Sequence, residues 1–223
     1  MAHLDYRSNT RPLSLFPRRG TAYAAFGKRI VDLSIAVLLL PVLIPLIAIL
    51  CALCACTGTF GLFAHQRVGQ HGVPFTCWKI RTMVPDAEQR LRDHLAADPV
   101  AAAEWARTQK LTRDPRVTAL GRVLRRTSLD ELPQIWNVLR GDMSLVGPRP
   151  ITAPELDRYG PHAQTYLSLK PGVTGLWQVA GRANGCYDER LQMDQTYAQT
   201  MGLFADLSLI AQTAVVVIRP TGR

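Results

Sequence analysis

From Leu33 to Ala64 the chain carries no charged residue, and Ile35–Cys56 is almost wholly apolar. As a helix rising 1.5 Å per residue, the 22 residues of that inner stretch extend about 33 Å, enough for the hydrocarbon core of a bilayer. A cleaved signal peptide does not fit, because the polar region before the run is long and the run exceeds a normal signal core. Two readings stay open: a helix that spans the membrane, and one that enters and turns back on the same side. Pro41 and Pro45 sit mid-run, each removing a backbone donor and crowding the preceding turn, although spanning helices tolerate kinks. Both flanks are basic, with Arg18, Arg19, Lys28 and Arg29 before and Arg67, Lys79 and Arg81 after. The bias of Lys and Arg toward the cytoplasm places both flanks there, which only the returning helix satisfies.

The formal charge of +9 is concentrated in two blocks. Residues 1–29 hold six basic and one acidic residue, and residues 107–149 hold nine and four, so each block is net +5. A basic tail ahead of an apolar segment is drawn to anionic cytoplasmic lipids. The second block suits phosphates or diphosphates. Nucleic acid is excluded as a partner class, since no helix-turn-helix, zinc-finger or RNP-like pattern is present and few aromatics lie among the arginines.

The cysteines form no disulfide framework. Cys51, Cys54 and Cys56 lie in the apolar run, while Cys77 and Cys186 are isolated. The Cys51-x-x-Cys54 spacing matches a redox motif only superficially, given its lipid-like surroundings. The five histidines show no metal-ligand spacing.

After the membrane segment, Phe60–Val68 and Val73–Ile80 flank Gly69-Gln70-His71-Gly72, a glycine-bracketed turn that predicts a β-hairpin. Lys79 and Arg81 then share a face of the second strand. Ala87–Ala96 and Val100–Lys110 read as surface helices separated at Asp98-Pro99, residues 151–168 and 187–201 read as helices, and Met143–Val146 and Val173–Val179 are short apolar pieces between loops. Leu203–Ile218 is apolar but interrupted by Asp206, Ser208, Gln212 and Thr213, so it lies flat at an interface or in the core. The expected class is α+β, mostly helical: a re-entrant membrane helix, a β-hairpin and amphipathic interfacial helices. The expected organisation is a basic tail over residues 1–27, the membrane helix over 28–58 and a cytoplasmic catalytic domain over 59–223.

Within the second basic block, Arg125-Arg126 precede Ser128-Leu129-Asp130-Glu131. Two roles fit this spacing. Ser-x-x-Glu is the signature of a capping box, in which Ser128 caps a helix, Glu131 reaches back and Asp130 complements the dipole. The amphipathic stripe of Leu132, Ile135, Trp136 and Leu139 supplies the helix that would follow. The same geometry also serves chemistry. Free N–H groups of a helix start and a bidentate pair of arginines bind phosphate oxygens. An ionised Asp there can attack phosphorus as aspartyl-phosphate enzymes do, or hold Mg²⁺ together with substrate phosphates. Gly147-Pro148-Arg149-Pro150 rigidly presents a further arginine. Residue chemistry alone leaves cap and catalyst equally open.

Six segments, in order, resemble the monotopic bacterial sugar transferases, the polyprenyl-phosphate phosphoglycosyl transferases. They are Gln66-Arg-Val-Gly69, Phe75-x-x-x-Lys-Ile-Arg-Thr-Met83, Leu120-Gly-x-x-Leu-Arg125, Ser128-Leu-Asp-Glu-Leu-Pro-Gln134, Asn137 through Pro150, and Lys170-Pro-Gly-Val-Thr-Gly-Leu-Trp-Gln178. The resemblance covers residues 25–218, and Trp105–Val117 looks most like the branch that starts exopolysaccharide synthesis with a hexose-1-phosphate. It implies a membrane helix broken at Pro41 and Pro45. It also implies an Asp130-Glu131 dyad in which Asp130 attacks the β-phosphorus of a UDP-sugar (UDP-galactose or UDP-glucose) and releases UMP, and an acceptor, undecaprenyl phosphate, that then takes the phosphosugar. Glu131 is expected to position the dyad or handle protons. Mg²⁺, held at Asp130, would neutralise the diphosphate. Lys79, Arg81, Arg125, Arg149 and Arg182 match the family's basic positions, and with Arg126 they are the phosphate-binding candidates. The resemblance further implies the bacterial inner membrane, with the catalytic domain on the cytoplasmic face among membrane lipids. The sequence leaves the sugar and the oligomeric state open, a homodimer being one option. Departures from the pattern are small: Ile80 replaces the commoner Phe, the prolines lack a preceding serine, and a short basic tail stands where some members have large N-terminal domains. Two other readings compete: a non-catalytic membrane-surface adaptor for anionic lipids or nucleotides, and a hydrolase of the UDP-sugar.

Overall fold

In a computed structural model, residues 22–56, 58, 61–108, 111–180 and 187–218 are described. A π-helical turn, Tyr23–Gly27, leads into α1, Lys28–Cys56. The backbone of α1 stays helical through Pro41 and Pro45, so the expected break is not an interruption of helical structure. Both prolines lie on the exposed face of α1, where a missing ladder bond lets a helix curve around its core. The opposite face is a stripe of Asp32, Ile35, Ala36, Leu40, Leu43, Ile47, Leu50 and Cys54 at helical spacing, packed on the rest of the protein along its whole length.

Polar contacts pin both ends of α1. At its start Lys28 Nζ meets Asp206 Oδ2 at 2.6 Å, Arg29 donates to the carbonyls of Val138 and Leu139, and Asp32 accepts from the Leu145 N–H at 3.0 Å. Near its end the Cys54 thiol donates to the Arg81 carbonyl, and Leu50 and Cys54 pack with Ile80 and Leu124.

The hairpin forms as expected from its turn. Strands β1 (Leu62–Val68) and β2 (Pro74–Ile80) pair antiparallel, with Val68 opposite Pro74 and Leu62 opposite Ile80. His71 and Gly72 take the positive φ values that close the turn. Because opposed residues project to one side of a sheet, Phe63, His65 and Arg67 share a face with Lys79, Cys77 and Phe75.

Helices α2 (Ala87–Ala97) and α3 (Pro99–Thr108) separate at Asp98, as the Asp-Pro pair predicts. The Thr118 hydroxyl caps α4 (Ala119–Thr127) by accepting from the Gly121 N–H. A left-handed Ser128 (φ 58°) stops α4, a short 3₁₀ turn carries Leu129–Glu131, and α5 (Gln134–Arg140) begins only after Pro133. Asn137 of α5 is fully buried and substitutes for a neighbouring strand: it accepts from the Trp78 N–H and donates to the Thr76 carbonyl, fastening α5 to β2.

Strand β3 (Ser144–Val146) pairs parallel with β4 (Gly172–Thr174). The 151–168 segment is α6 (Ala153–Asp157), a 3₁₀ turn at Gly160–His162 and α7 (Ala163–Ser168). The expected single helix is therefore corrected: Gly160, at φ 49°, and Pro161 divide it. α8 (Leu176–Val179), α9 (Tyr187–Thr200) and α10 (Leu203–Ile218) complete the described chain. One core cluster lies beneath α1, α5 and β3, and a second joins Val68 and Ile151 to Tyr159 and Tyr166. The class is mostly helical with two small sheets and one long apolar helix.

Candidate active site

The local backbone decides what the carboxylate pair can do. The Ser128–Glu131 capping box is not formed. Ser128 ends α4 rather than starting α5, and its side chain does not cap the turn that follows. A left-handed serine is disfavoured by roughly 1–2 kcal/mol; the reversal it produces turns Leu129–Glu131 back toward β2. The capping signature is used elsewhere, at Thr152-x-x-Glu155, where the Glu155 carboxylate accepts from the Thr152 N–H and hydroxyl.

Glu131 accepts from Lys79 Nζ at 2.7 Å and faces Arg149 Nη1 at 3.5 Å. The Lys79 and Glu131 side chains are only 18% and 15% exposed, so the pair is more than a surface ornament. Asp130 is 8% exposed, and among the described residues its carboxylate accepts no hydrogen bond. Burial pushes its titration above the ordinary carboxylate range, and the charge of Glu131 adds to this; Lys79, Arg125 and Arg149 pull the other way. One acid is thus tied to two cations, while its neighbour is left with unused lone pairs in their field.

Lys79, Glu131 and Arg149 edge a narrow cleft lined also by Arg67, Cys77, Gln134, Pro150, Val173 and Gln178; Asp130, beside Glu131 in the chain, is not one of its lining residues. Its floor is the hairpin face that carries Arg67, Cys77 and Lys79. The Arg149 loop is held by close backbone approach: a Cβ at Gly172 would lie 2.1 Å from the Gly147 N, and one at Gly175 2.2 Å from the Gly147 carbonyl oxygen. Arg190 donates to the Arg149 carbonyl at 3.0 Å, and the guanidiniums of Arg149 and Arg190 lie 6.0 and 5.4 Å from the Trp177 ring.

Of the phosphate-binding candidates, Lys79 and Arg149 meet at Glu131. Arg125 donates from Nε to Thr82 Oγ1 at 2.8 Å and acts on Asp130 through its charge. Arg81 lies one residue past the end of β2, its guanidinium 5.4 Å from the ring of Phe63, which shares the face of Lys79, and it is not one of the residues lining the cleft. Arg126 is exposed on α4 and makes no ion pair among the described residues. Arg182 lies outside the described residues. Sequence reasoning passed over Arg67, which ion-pairs with Glu155 at 3.2 Å and lines the cleft, and the cleft glutamines Gln134 and Gln178. Arg67 had a signal in the alternation of β1, but its face is fixed only by the pairing register.

The comparisons decide the family. The model of the bacterial sugar transferases matches residues 23–220. This chain belongs to the bacterial sugar transferase family. The undecaprenyl-phosphate galactose phosphotransferase of Salmonella typhimurium is 47% identical over 197 residues, 88% of this chain and 41% of that protein. The exopolysaccharide production protein ExoY of Rhizobium meliloti is 42% identical over 219 residues, 97% of both chains. The UDP-glucose:undecaprenyl-phosphate glucose-1-phosphate transferase of Caulobacter vibrioides is 39% identical over 222 residues, 94% of this chain and 77% of that one. This bacterial sugar transferase spans about two fifths of the Salmonella relative's length and nearly all of ExoY. Cleft, dyad and arginines all fall inside the matched segment.

Proposed function

We propose that this chain is a membrane-bound phosphoglycosyl transferase that moves a sugar-1-phosphate from a UDP-sugar, galactose or glucose in class, to undecaprenyl phosphate through a covalent intermediate on Asp130. The observation that carries the reading is the asymmetry of the dyad, in which Glu131 is saturated by Lys79 and Arg149 and Asp130 is left without a hydrogen bond. A general base or a structural cap would be bonded; a nucleophile needs free lone pairs aimed at its target.

In the first step an Asp130 carboxylate oxygen attacks the β-phosphorus. The bond from that phosphorus to the oxygen bridging it to the α-phosphorus breaks, and its electron pair leaves with UMP. In the second step an oxygen of the lipid phosphate attacks the same phosphorus, and the bond to Asp130 breaks, restoring the carboxylate. Lys79 and Arg149 stand where charge accumulates on the transferring phosphoryl group, and Glu131 is a positioning residue that holds both cations beside Asp130. No cluster of three or more potential metal-ligating side chains exists among the described residues. A Mg²⁺ that arrives with the diphosphate would take one carboxylate, Asp130, from the protein. When bound it would neutralise diphosphate charge.

The packing of α1 is the observation that supports the proposed membrane arrangement. Its inner stripe is covered from Asp32 to Cys54 by the domain that holds the cleft, while Val37, Leu38, Val42, Ile44, Ile49 and Leu53 face outward. A helix so covered cannot cross the hydrocarbon without drawing polar backbone and charged side chains in with it. This supports a helix that enters one leaflet and returns, with catalysis at the cytoplasmic face of the bacterial inner membrane. The exposed Phe204, Leu207 and Val215 of α10 suit an interfacial position beside it.

The test is UMP release from a panel of UDP-sugars, with and without undecaprenyl phosphate, in detergent or vesicles. Lipid-dependent turnover is expected. Sustained release without lipid would make the protein a hydrolase, and no release with any donor would leave it a binding protein.

A further inference from the structure

Two cleft side chains have no part in the steps above. Gln134 opens α5 and Gln178 lies in α8; they are 2% and 8% exposed, and both line the cleft with Lys79, Glu131 and Arg149. Neither carboxamide makes a hydrogen bond to any described residue. The only side-chain polar atoms sealed from solvent without a hydrogen bond among the described residues are Arg81 Nε and Arg190 Nε. The two amides, though on buried residues, therefore keep their polar atoms open to the cleft and uncommitted to the protein, where a ligand can bond them. Gln178 Oε1 lies close to Gly175, 2.9 Å from where a Cβ there would stand, although the close approach that requires glycine at 175 is to the Gly147 carbonyl oxygen at 2.2 Å.

The chemistry of a carboxamide narrows the ligand group. Each offers two N–H donors and one carbonyl acceptor. A phosphate oxygen can use only the donors and would face the amide oxygens with like partial charge, and Arg67, Lys79 and Arg149 already line the cleft as cations. A hydroxyl donates and accepts, and uses both halves. In a nucleotide sugar the hydroxylated group attached directly to the reacting phosphorus is the sugar ring, whereas the nucleoside lies one phosphate further away.

Resting on the transferase reading of this site, we propose that Gln134 and Gln178 are specificity determinants that hydrogen-bond hydroxyl groups of the donor's sugar ring. The experiment takes whichever of UDP-glucose and UDP-galactose turns over faster, with its monodeoxy analogues at C2, C3, C4 and C6, and reads kcat/KM for UMP release with undecaprenyl phosphate. The wild type is expected to lose at least about tenfold on removal of one or two particular hydroxyls, as sites built around a hydroxyl do. Gln134→Met and Gln178→Met, near in size to the native residues, should each lose a comparable factor with the parent sugar. Each should lose nothing more when its partner hydroxyl is removed as well.

Equal losses in the variants with every analogue would overturn the assignment, as would a wild type indifferent to all four deletions. If a variant fails to fold, the wild-type series still decides. Coupling of the amides to replacement of the uracil rather than to any hydroxyl would transfer them to the base and overturn the proposal as well. A wild type that releases no UMP from any UDP-sugar removes the transferase reading and this inference together. Turnover without hydroxyl coupling removes this inference alone.

Discussion

Glu131→Gln is the perturbation that best separates a dyad built for phosphoryl transfer from a helix cap. If the pair only caps a helix, losing Glu131 costs about 1 kcal/mol of stability and leaves the acid limb of turnover in place. Here Glu131 bonds Lys79 at 2.7 Å and faces Arg149 at 3.5 Å. Glutamine keeps an oxygen for one cation but removes the balancing charge. Charge-assisted bonds contribute about 1.5–3 kcal/mol against about 1 for neutral ones. With Arg149 about a third exposed and screened accordingly, the loss should be about 1–2 kcal/mol. For a chain of 223 residues this lowers Tm by about 2–8 °C.

Stability alone separates the two accounts poorly, and pH separates them well. Burial, then the Glu131 charge, push Asp130 up; Lys79, Arg125 and Arg149 pull it down. Removing the Glu131 charge therefore lets Asp130 ionise at lower pH, and the acid limb of UMP release moves down even as the plateau rate falls. Lys79→Met removes an opposing charge and moves the same limb up. The assay is kcat/KM for UMP release across the acid range in the wild type and both variants. Limbs that stay put, or that move in the same direction, would refute the electrostatic coupling on which the catalytic reading rests.

Three further outcomes are expected. Asp206 is 1% exposed and accepts from Tyr23, Lys28 and Tyr197, so Asp206→Ala, which strands Lys28, should cost about 3–5 kcal/mol; an unchanged Tm and unchanged proteolysis of α1 would contradict the clamp. The folded Asp130 holds its proton to higher pH than the unfolded chain, so its contribution to stability is present at low pH and lost as pH rises through its folded titration. Asp130→Asn should then leave Tm equal or higher at neutral pH, with the difference vanishing in acid, and a Tm drop at neutral pH would reverse the sign argued here. Single cysteines placed before Lys28 and after Arg67 should react with an impermeant thiol reagent from the same side of the membrane, and labelling from opposite sides would sink the re-entrant arrangement.

Much of the fold was legible where local chemistry decides. The Gly69–Gly72 turn fixed the hairpin, Asp98-Pro99 divided α2 from α3, and uncharged length announced α1. The site was legible as a cluster of residue types but not as an arrangement. Ser128-x-x-Glu131 and Thr152-x-x-Glu155 carry the same signature, yet only the second caps. What separates them is tertiary: Lys79, 52 positions away in sequence, claims Glu131, and a left-handed Ser128 reverses the chain. The β3–β4 pairing was invisible because each strand has three residues and is set by the close approach of Gly147 and Gly172. Gly160-Pro161 was a visible breaker inside a helix drawn too long. Arg81, one residue past the end of β2, sits over Phe63 on the face of Lys79 but outside the cleft, and the second cation that this face brings to the cleft is Arg67 from the opposite strand.

The central claim is that Asp130 carries the phosphosugar. Incubating the purified protein with a UDP-sugar labelled at the β-phosphorus, with undecaprenyl phosphate omitted, tests it directly by acid quench and peptide mass spectrometry. The account predicts up to one label per chain on the peptide holding Asp130, discharged on adding undecaprenyl phosphate and absent in Asp130→Asn. Lipid-dependent UMP release at full rate from the Asp130→Asn variant, or label on another residue, would contradict it.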